Sequence, residues 1–170
     1  GAQIVDDFTV PGFERFPRPP QTPARSKADW ESFFAFEGPQ FPVRTVAELR
    51  DAPSGKGVHP LHVARVAEIA AITKTPEEDP ATMQGRKDEQ MYRDSFGAAM
   101  DAARVDALVF PVWTFPPKIN GDRGQTPQGQ LTFIGSATQW PVVVVPMGFV
   151  DENLPIGFQF LGRPWTEGQL

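Results

Sequence analysis

This chain of 170 residues contains no cysteine, only one tyrosine and two histidines, and no long apolar run. The absence of cysteine excludes disulfide bonds, thiol catalysis and thiolate metal ligands, and it is compatible with any redox compartment. The longest strongly apolar stretch, residues 141–149, is far shorter than the roughly 20 residues that a membrane-spanning helix requires. A membrane span is therefore not expected. Because no signal peptide is recognisable either, we predict a cytoplasmic location.

Basic charge and metal-ligand clusters are also scarce. Lysine and arginine number 16 against 21 acidic residues, a net charge of -5 at pH 7. Without a basic field, nucleic acid is not an expected partner. The only two histidines, His59 and His62, are three residues apart, a spacing that metal-binding helices also use. Since no cysteine and almost no suitably spaced carboxylate accompanies them, we predict no metal site.

Proline and glycine, in contrast, are abundant. The 19 prolines and 15 glycines make up about 20% of the chain, against an average of roughly 12%. Most of the excess lies in residues 11–60, so we expect residues 1–60 to be rich in loops. Within this part, residues 2–10 are predicted to form a strand.

Several helices are expected in the first two thirds of the chain. Ser26 is the predicted N-cap of a helix over residues 27–36, and shorter helices are predicted over residues 45–52 and 60–72. The first of these helices carries an aromatic stripe formed by Trp30, Phe33 and Phe34. This stripe predicts either a core contact or a hydrophobic lid over an acyl pocket.

A long helix is predicted over residues 79–104. Asp79 followed by Pro80 is a typical helix start, because proline at the first helical position loses no needed hydrogen bond. Apolar residues then recur every three to four positions, which predicts one face packed on a sheet. The opposite face is predicted to be solvated and carries Arg86, Lys87, Glu89, Arg93 and Asp94.

Three short apolar runs fill the last third of the chain: residues 106–111, 139–149 and 154–163. Each run ends in proline or glycine and shows no polar alternation, which is typical of strands buried on both faces. Strands that follow a long helix in this way predict an α/β fold.

The order of four motifs resembles the C-terminal part of the amidase signature family, serine hydrolases that cleave carboxylic amides. The motifs are an Asp-initiated strand ending in proline, a Thr-x-x-Pro stretch, a Val-Pro-x-Gly turn and a Leu-Pro-x-Gly-x-Gln segment reaching a glycine. They lie at Asp106–Pro111, Thr138–Pro141, Val145–Gly148 and Leu154–Gly162. The resemblance covers about residues 86–168. Ser136 and Gln139 depart from it, since the family often has Asn and Gly there.

The resemblance implies a C-terminal fragment of a single amidase domain over residues 1–170, with core strands and substrate-side loops in residues 105–170. The implied fold is a large mixed sheet flanked by helices. The family uses a serine nucleophile, a second serine and a lysine near a Gly/Ser-rich loop, and no such loop occurs here. We therefore expect no catalytic residue in this chain, no activity of the chain alone, and a missing N-terminal catalytic half as its partner. The start at Gly1 without methionine fits the same expectation.

The resemblance also indicates substrate-binding residues. Residues 130–136 correspond to a family stretch that approaches the acyl side of the substrate, which implies Phe133, Ile134 and Trp140 as wall residues. Trp113 and Phe115 follow a predicted strand end, where ligands bind in open α/β sheets, so they either line an apolar pocket or pack on the core. The expected substrate is a small linear carboxylic amide with an apolar acyl or aryl portion, processed without metal or organic cofactor.

Two other functions fit the same residues. A non-catalytic binding module would use the proline-rich, aromatic first third as its contact surface. A transamidase-type relative would share the C-terminal motifs but transfer ammonia to an acyl acceptor. The chain is compatible with an oligomer under each of these interpretations.

Overall fold

The computed structural model describes most of the chain, in four ranges: residues 1–52, 58–114, 131–150 and 153–170. The described residues form two compact units. We call Gly1–Arg18 together with Asp88–Leu170 the sheet unit, and we call Pro19–Lys87 the helical unit.

Three short helices and the start of a longer one build the helical unit. They are α1 (Pro23–Phe36), α2 (Val46–Asp51), α3 (Val63–Ala70) and the first turns of α4 (Pro80–Ala103). A 3-10 turn over Pro60–His62 leads directly into α3. The predicted helices are therefore confirmed in number and order, although residues 60–72 contain a 3-10 turn followed by a shorter α-helix.

Helix α1 begins four residues earlier than predicted. Thr22, not Ser26, is its N-cap, and the Thr22 hydroxyl accepts a hydrogen bond from the Arg25 backbone amide at 3.4 Å. Pro23 occupies the first helical position, where its fixed φ angle favours the helix and its missing N–H has no intrahelical partner to lose. A threonine followed by proline was thus a stronger start signal than Ser26.

The core of the helical unit is small and apolar. Phe34 is buried and stacks on Phe41 with 5.4 Å between ring centroids, and α2 and α3 close the cluster. The remaining buried members are Val43, Val46, Val66 and Ile69. Only one residue of the predicted aromatic stripe is core, because Trp30 and Phe33 remain largely exposed.

A hydroxyl and carboxylate network fixes the start of α4. The Asp79 carboxylate accepts hydrogen bonds from the Thr82 backbone amide at 3.1 Å and from its hydroxyl at 2.6 Å. The buried Thr82 hydroxyl also hydrogen bonds the buried Thr22 hydroxyl, the N-cap of α1. The same network therefore caps two helices and confirms Asp79–Pro80 as a helix start.

This network predicts an acid-sensitive helical unit. Hydrogen bonding by Thr82 holds the pKa of the Asp79 carboxyl below its usual value. A carboxylate with a lowered pKa in the folded state contributes stability above its unfolded pKa of about 3.9 and loses that contribution as the pH falls through its folded pKa.

We expect Asp79→Asn to be less stable than wild type at pH 6 and to show a smaller loss of stability below about pH 4. Urea unfolding followed by circular dichroism at several pH values measures both. Asp106→Asn is the control, because Asp106 is exposed. An equal pH dependence of Asp79→Asn and wild type would contradict the assignment.

The sheet unit contains the rest of α4, a short helix and three strands. These are β1 (Ala107–Pro111), α5 (Phe133–Thr138), β2 (Val142–Val150) and β3 (Leu154–Gly162). The strands form one antiparallel sheet in the order β1-β3-β2. The α/β class is confirmed, as are the three strands predicted from the apolar runs.

The prediction of a strand over residues 2–10 is wrong. The chain is irregular there. Phe8 and Val10 nevertheless pack against the core of the sheet unit. These apolar side chains are therefore partly buried although the backbone that carries them pairs with no strand among the described residues.

The core of the sheet unit forms where α4 covers one face of the sheet. Tyr92, Phe96 and Met100 are buried at four-residue intervals along α4, the spacing that aligns side chains on one helix face. They pack with buried residues of β1, β3 and α5 and with a tryptophan in the turn between α5 and β2: Leu108, Leu161, Ile134, Ala137 and Trp140. The opposite side of α4 is less solvated than predicted, because Asp88 and Glu89 are buried. No helix among the described residues is long and apolar enough to cross a membrane.

The other face of the sheet and the edge at β2 are apolar but open. Val109 pairs with Phe160 across the strands, and Phe160 pairs with Val143, so these residues lie on one face. Val109 is 46% exposed, and on the edge strand Val144 is 55% exposed. The prediction of strands buried on both faces is wrong for the described residues, because α4 covers one face and Val109 and Val145 remain exposed on the other.

The middle and the edge of the sheet predict different costs of truncation. Leu161 in the middle strand is fully buried, whereas Val144 on the edge strand is mostly exposed. We expect Leu161→Ala to lower the free energy of unfolding by about 2–5 kcal/mol, because it leaves a cavity. Val144→Ala is the control and should stay within about 0.5 kcal/mol. Urea denaturation of the 170-residue chain measures both, and equal costs would contradict this assignment of the core.

Candidate functional site

An aromatic cluster surrounds the first residue of α5. Phe133 is half-buried, and its ring lies parallel to that of Phe13, with 6.3 Å between centroids and 5° between planes. The Tyr92 ring meets Phe133 edge to face at 6.1 Å, and Phe16 packs on Tyr92 at 5.2 Å. Edge-to-face and offset stacked contacts are the arrangements that aromatic rings prefer. The cluster therefore holds Phe133 in place while leaving part of it accessible.

A cation lies on this cluster. The Arg18 guanidinium is 4.4 Å from the centroid of the Phe133 ring, within the range of a cation–π interaction. Burial raises the pKa of the Tyr92 phenol, and the nearby positive charge of Arg18 opposes that effect. Tyr92 is therefore a neutral phenol at pH 7. No periodicity or motif in the sequence marks Arg18, since it stands in an irregular proline-rich segment.

The other predicted wall residues differ in accessibility. Ile134 and Trp140 are buried in the core of the sheet unit. Trp113 is 40% exposed and follows the end of β1. The neighbouring Val112 carbonyl accepts a hydrogen bond from the Leu131 amide at 3.2 Å, which brings the Trp113 segment to the chain just before α5. Phe115 lies outside the described residues.

The turn after α5 is tied to α4. Gln139 has a left-handed backbone, with φ 58°, and its side-chain amide donates a hydrogen bond to the buried Glu89 carboxylate at 3.0 Å. The Thr138 hydroxyl donates to the Ile134 carbonyl at 2.8 Å and accepts from the Trp140 amide at 3.4 Å. These bonds fix the turn that carries Trp140. The sequence pattern predicts that Glu89 is solvated, whereas the fold buries it.

The Gln139 turn predicts an unusual ranking of two truncations. A left-handed backbone costs a residue with a β carbon about 1–2 kcal/mol, and glycine avoids that cost. Gln139→Gly and Gln139→Ala both lose the hydrogen bond to Glu89. We therefore expect the glycine variant to be more stable than the alanine variant by roughly 1 kcal/mol. Paired urea denaturation curves measure this difference, and an alanine variant of equal or higher stability would contradict it.

One buried side-chain amide nitrogen lacks an acceptor among the described residues. Gln159 lies in the middle strand, paired with Phe110 and Val144, and is 1% exposed. Its side-chain nitrogen donates no hydrogen bond to any residue in the described ranges. Burying an amide donor without an acceptor costs free energy. The glutamine of the Leu-Pro-x-Gly-x-Gln motif thus has a buried side-chain nitrogen whose hydrogen bonding is unsatisfied within the described ranges.

Two open grooves lie away from the predicted wall residues. The first has a volume of about 520 Å³ and lies between residues 5–11 and the small residues of α4, including Ser95 and Ala98. The second, of about 500 Å³, lies in the helical unit beside Trp30 and Arg65. None of the described wall residues lines either groove. The described ranges also contain no group of three or more His, Cys, Asp or Glu side chains placed to hold a metal.

The arrangement suits recognition better than bond cleavage. A partly accessible aromatic ring and a guanidinium lie side by side on a rigid core. The core in turn is fixed by the Gln139 turn. Aromatic surface contributes apolar contact area, and a guanidinium contributes charge and planar hydrogen bonding.

Comparison with known proteins identifies the class of protein. Residues 27–170 match the family model described as Amidase, and the chain therefore belongs to that family. The solved structure of native peptide amidase from Stenotrophomonas maltophilia is similar to 85% of this chain, with a TM-score of 0.64 and 29% sequence identity. A glutamyl-tRNA(Gln) amidotransferase subunit from Pelodictyon phaeoclathratiforme is 30% identical over 86 residues, 48% of this chain. The fatty acid amide hydrolase of Arabidopsis thaliana is 36% identical over 73 residues, 37% of this chain.

The chain spans only part of each of these relatives. The match covers 29% of the peptide amidase, 12% of the fatty acid amide hydrolase and 18% of the amidotransferase subunit. The confirmed resemblance is therefore one of family and of α/β fold.

Proposed function

We propose that this chain is the C-terminal, substrate-recognising part of an amide hydrolase, and that a separate stretch of polypeptide supplies the catalytic serines and lysine. The observation that carries the proposal is the open apolar sheet. Val109 and Val145 remain exposed on one face, and the uncharged run Val142–Val145 lies on the edge strand. Soluble proteins seldom leave such a face and edge uncovered. A catalytic part that added a strand at this edge and packed a layer on this face would cover both.

The proposed chemistry follows the family pattern. The catalytic part would form an acyl-enzyme through a serine activated by a second serine and a lysine, with backbone amides holding the oxyanion. Water would then release the acid. This chain would contribute the wall around Phe133, with Ile134 and Trp140 supporting it from the core. Trp113 and Phe115 are the further wall residues that the sequence predicts. The chain alone is expected to be inactive.

The accessible ring of Phe133 argues for a substrate with an apolar acyl or aryl portion. A ring held between Phe13 and Tyr92 presents a rigid apolar surface. Such a surface stabilises a matching substrate group at little cost in conformational entropy. The small linear amides expected from the sequence fit this surface only if they carry such a group.

Transamidation is the second candidate, supported by the similarity to the amidotransferase. A peptide amidase and a fatty acid amide hydrolase, both hydrolases by name, also match this chain. We therefore favour hydrolysis. Release of free ammonia in water supports the hydrolase, and dependence of amide turnover on an acyl acceptor would support the transamidase.

The wall proposal predicts a loss that depends on acyl length. In the enzyme assembled from this chain and its catalytic part, Phe133→Ala should lower kcat/KM for benzamide and hexanamide by about 10-fold, the scale of a few lost apolar contacts. Turnover of acetamide should change little. Phe36→Ala is the matched control, because Phe36 is 85% exposed and belongs to the helical unit.

Ile134→Ala separates packing from recognition. Ile134 is buried, so its truncation should lower thermal stability and affect all three amides alike. If Phe133→Ala also changed kcat/KM equally for every acyl length, the wall assignment would be wrong. If the assembled enzyme released no ammonia or amine from any amide, the proposed hydrolase function would fail.

A further inference from the structure

Arg18 occupies an unusually constrained position for a cation. Pro17 precedes it and Pro19 follows it. Proline fixes its own φ angle and restricts the residue before it to extended conformations. Phe13 and Phe16, just upstream, are anchored in the aromatic cluster. The backbone that presents Arg18 is therefore stiff and attached to the core of the sheet unit.

The side chain is oriented as well. Its guanidinium lies over the Phe133 ring at 4.4 Å. A guanidinium stacked on an aromatic face keeps its in-plane N–H donors free for other partners. Little conformational entropy would then be lost when an acceptor binds.

No acceptor uses these donors within the described residues. Several other arginines of the described chain have carboxylate partners, such as Arg15 with Glu14 at 3.2 Å and Arg163 with Asp101 at 2.5 Å. Arg18 makes no ion pair or hydrogen bond to a described residue, although the chain carries 21 acidic residues and a net charge of -5. Arg18 is exposed, so its donors are open to an acceptor on a ligand that reaches the predicted wall residue Phe133.

We propose that Arg18 recognises a carboxylate on the acyl portion of the substrate, so that the enzyme prefers amides bearing both an aryl or apolar group and a negative charge. This inference rests on the proposed hydrolase function and adds the substrate class. A planar carboxylate matches the planar fork of one guanidinium through two parallel hydrogen bonds. A phosphate dianion would call for further cations, and the Phe133 ring offers apolar contact instead.

The first test compares two amides of similar shape, 4-carboxybenzamide and 4-methylbenzamide, with the assembled enzyme. The wild type should favour the carboxylate substrate in kcat/KM. Arg18→Gln should lower kcat/KM for it by about 10- to 100-fold, the scale of a lost charge-assisted bidentate pair. Turnover of 4-methylbenzamide should change by less than about 3-fold. Arg15→Gln, which removes a nearby exposed arginine, is the control and should affect neither substrate.

Arg18→Lys separates charge from geometry. Lysine keeps the positive charge but lacks the planar fork. It should therefore recover only part of the lost preference, mainly at low ionic strength, where a single charge is less screened. Equal loss of both substrates in Arg18→Gln would overturn the proposal and leave the hydrolase function standing.

A binding test does not depend on turnover. The Arg18 side-chain Nε–H resonance, assigned by its loss in Arg18→Gln, should shift saturably when benzoate is titrated into the ¹⁵N-labelled chain, and it should not shift with benzamide. If the assembled enzyme hydrolysed no amide yet benzoate shifted this resonance, the hydrolase proposal would fail while anion recognition held. Equal responses to benzoate and benzamide, or no response to either, would overturn the role of Arg18.

Discussion

The contact between one face of α4 and one face of the sheet is the constraint on which the sheet unit depends. Tyr92, Phe96 and Met100 are aligned by the helical repeat and close over Leu108 and Leu161. Burial of large apolar side chains is the main favourable term in folding, and close packing makes it sensitive to shape. Because α5 and the proline-rich start of the chain dock on the same core, the position of Phe133 follows from this contact. The candidate site is thus an extension of the core.

The open face and edge of the sheet are the features that the proposed catalytic part would cover. An apolar strand at an edge offers unpaired backbone groups and uncovered side chains, which is costly in water. The same arrangement becomes favourable when a further strand or layer covers it. The Gln159 side-chain nitrogen has no acceptor among the described residues, although a buried donor normally finds one. Recognition residues on this chain and catalytic residues elsewhere would then meet only in the assembled protein.

Local signals in the sequence predicted the helices and strands well. Asp79 before Pro80 marked the start of α4, and apolar periodicity indicated its packed face. The errors have physical causes. Residues 2–10 have strand-like composition, but a strand also needs a neighbour to pair with, and composition does not reveal one. Glu89 looked solvated because its helix position is polar, whereas its partner Gln139 is 50 residues away.

The chain's own order of motifs determined the family and the α/β class, because turns, helix starts and apolar periods are encoded by residues close in sequence. Only the tertiary structure decided that Ile134 and Trp140 are core, that one sheet face stays open, and that Arg18 lies on Phe133. Those facts depend on contacts between residues far apart in sequence. Such contacts depend on how all the core side chains pack together, and no short segment of the sequence specifies that packing.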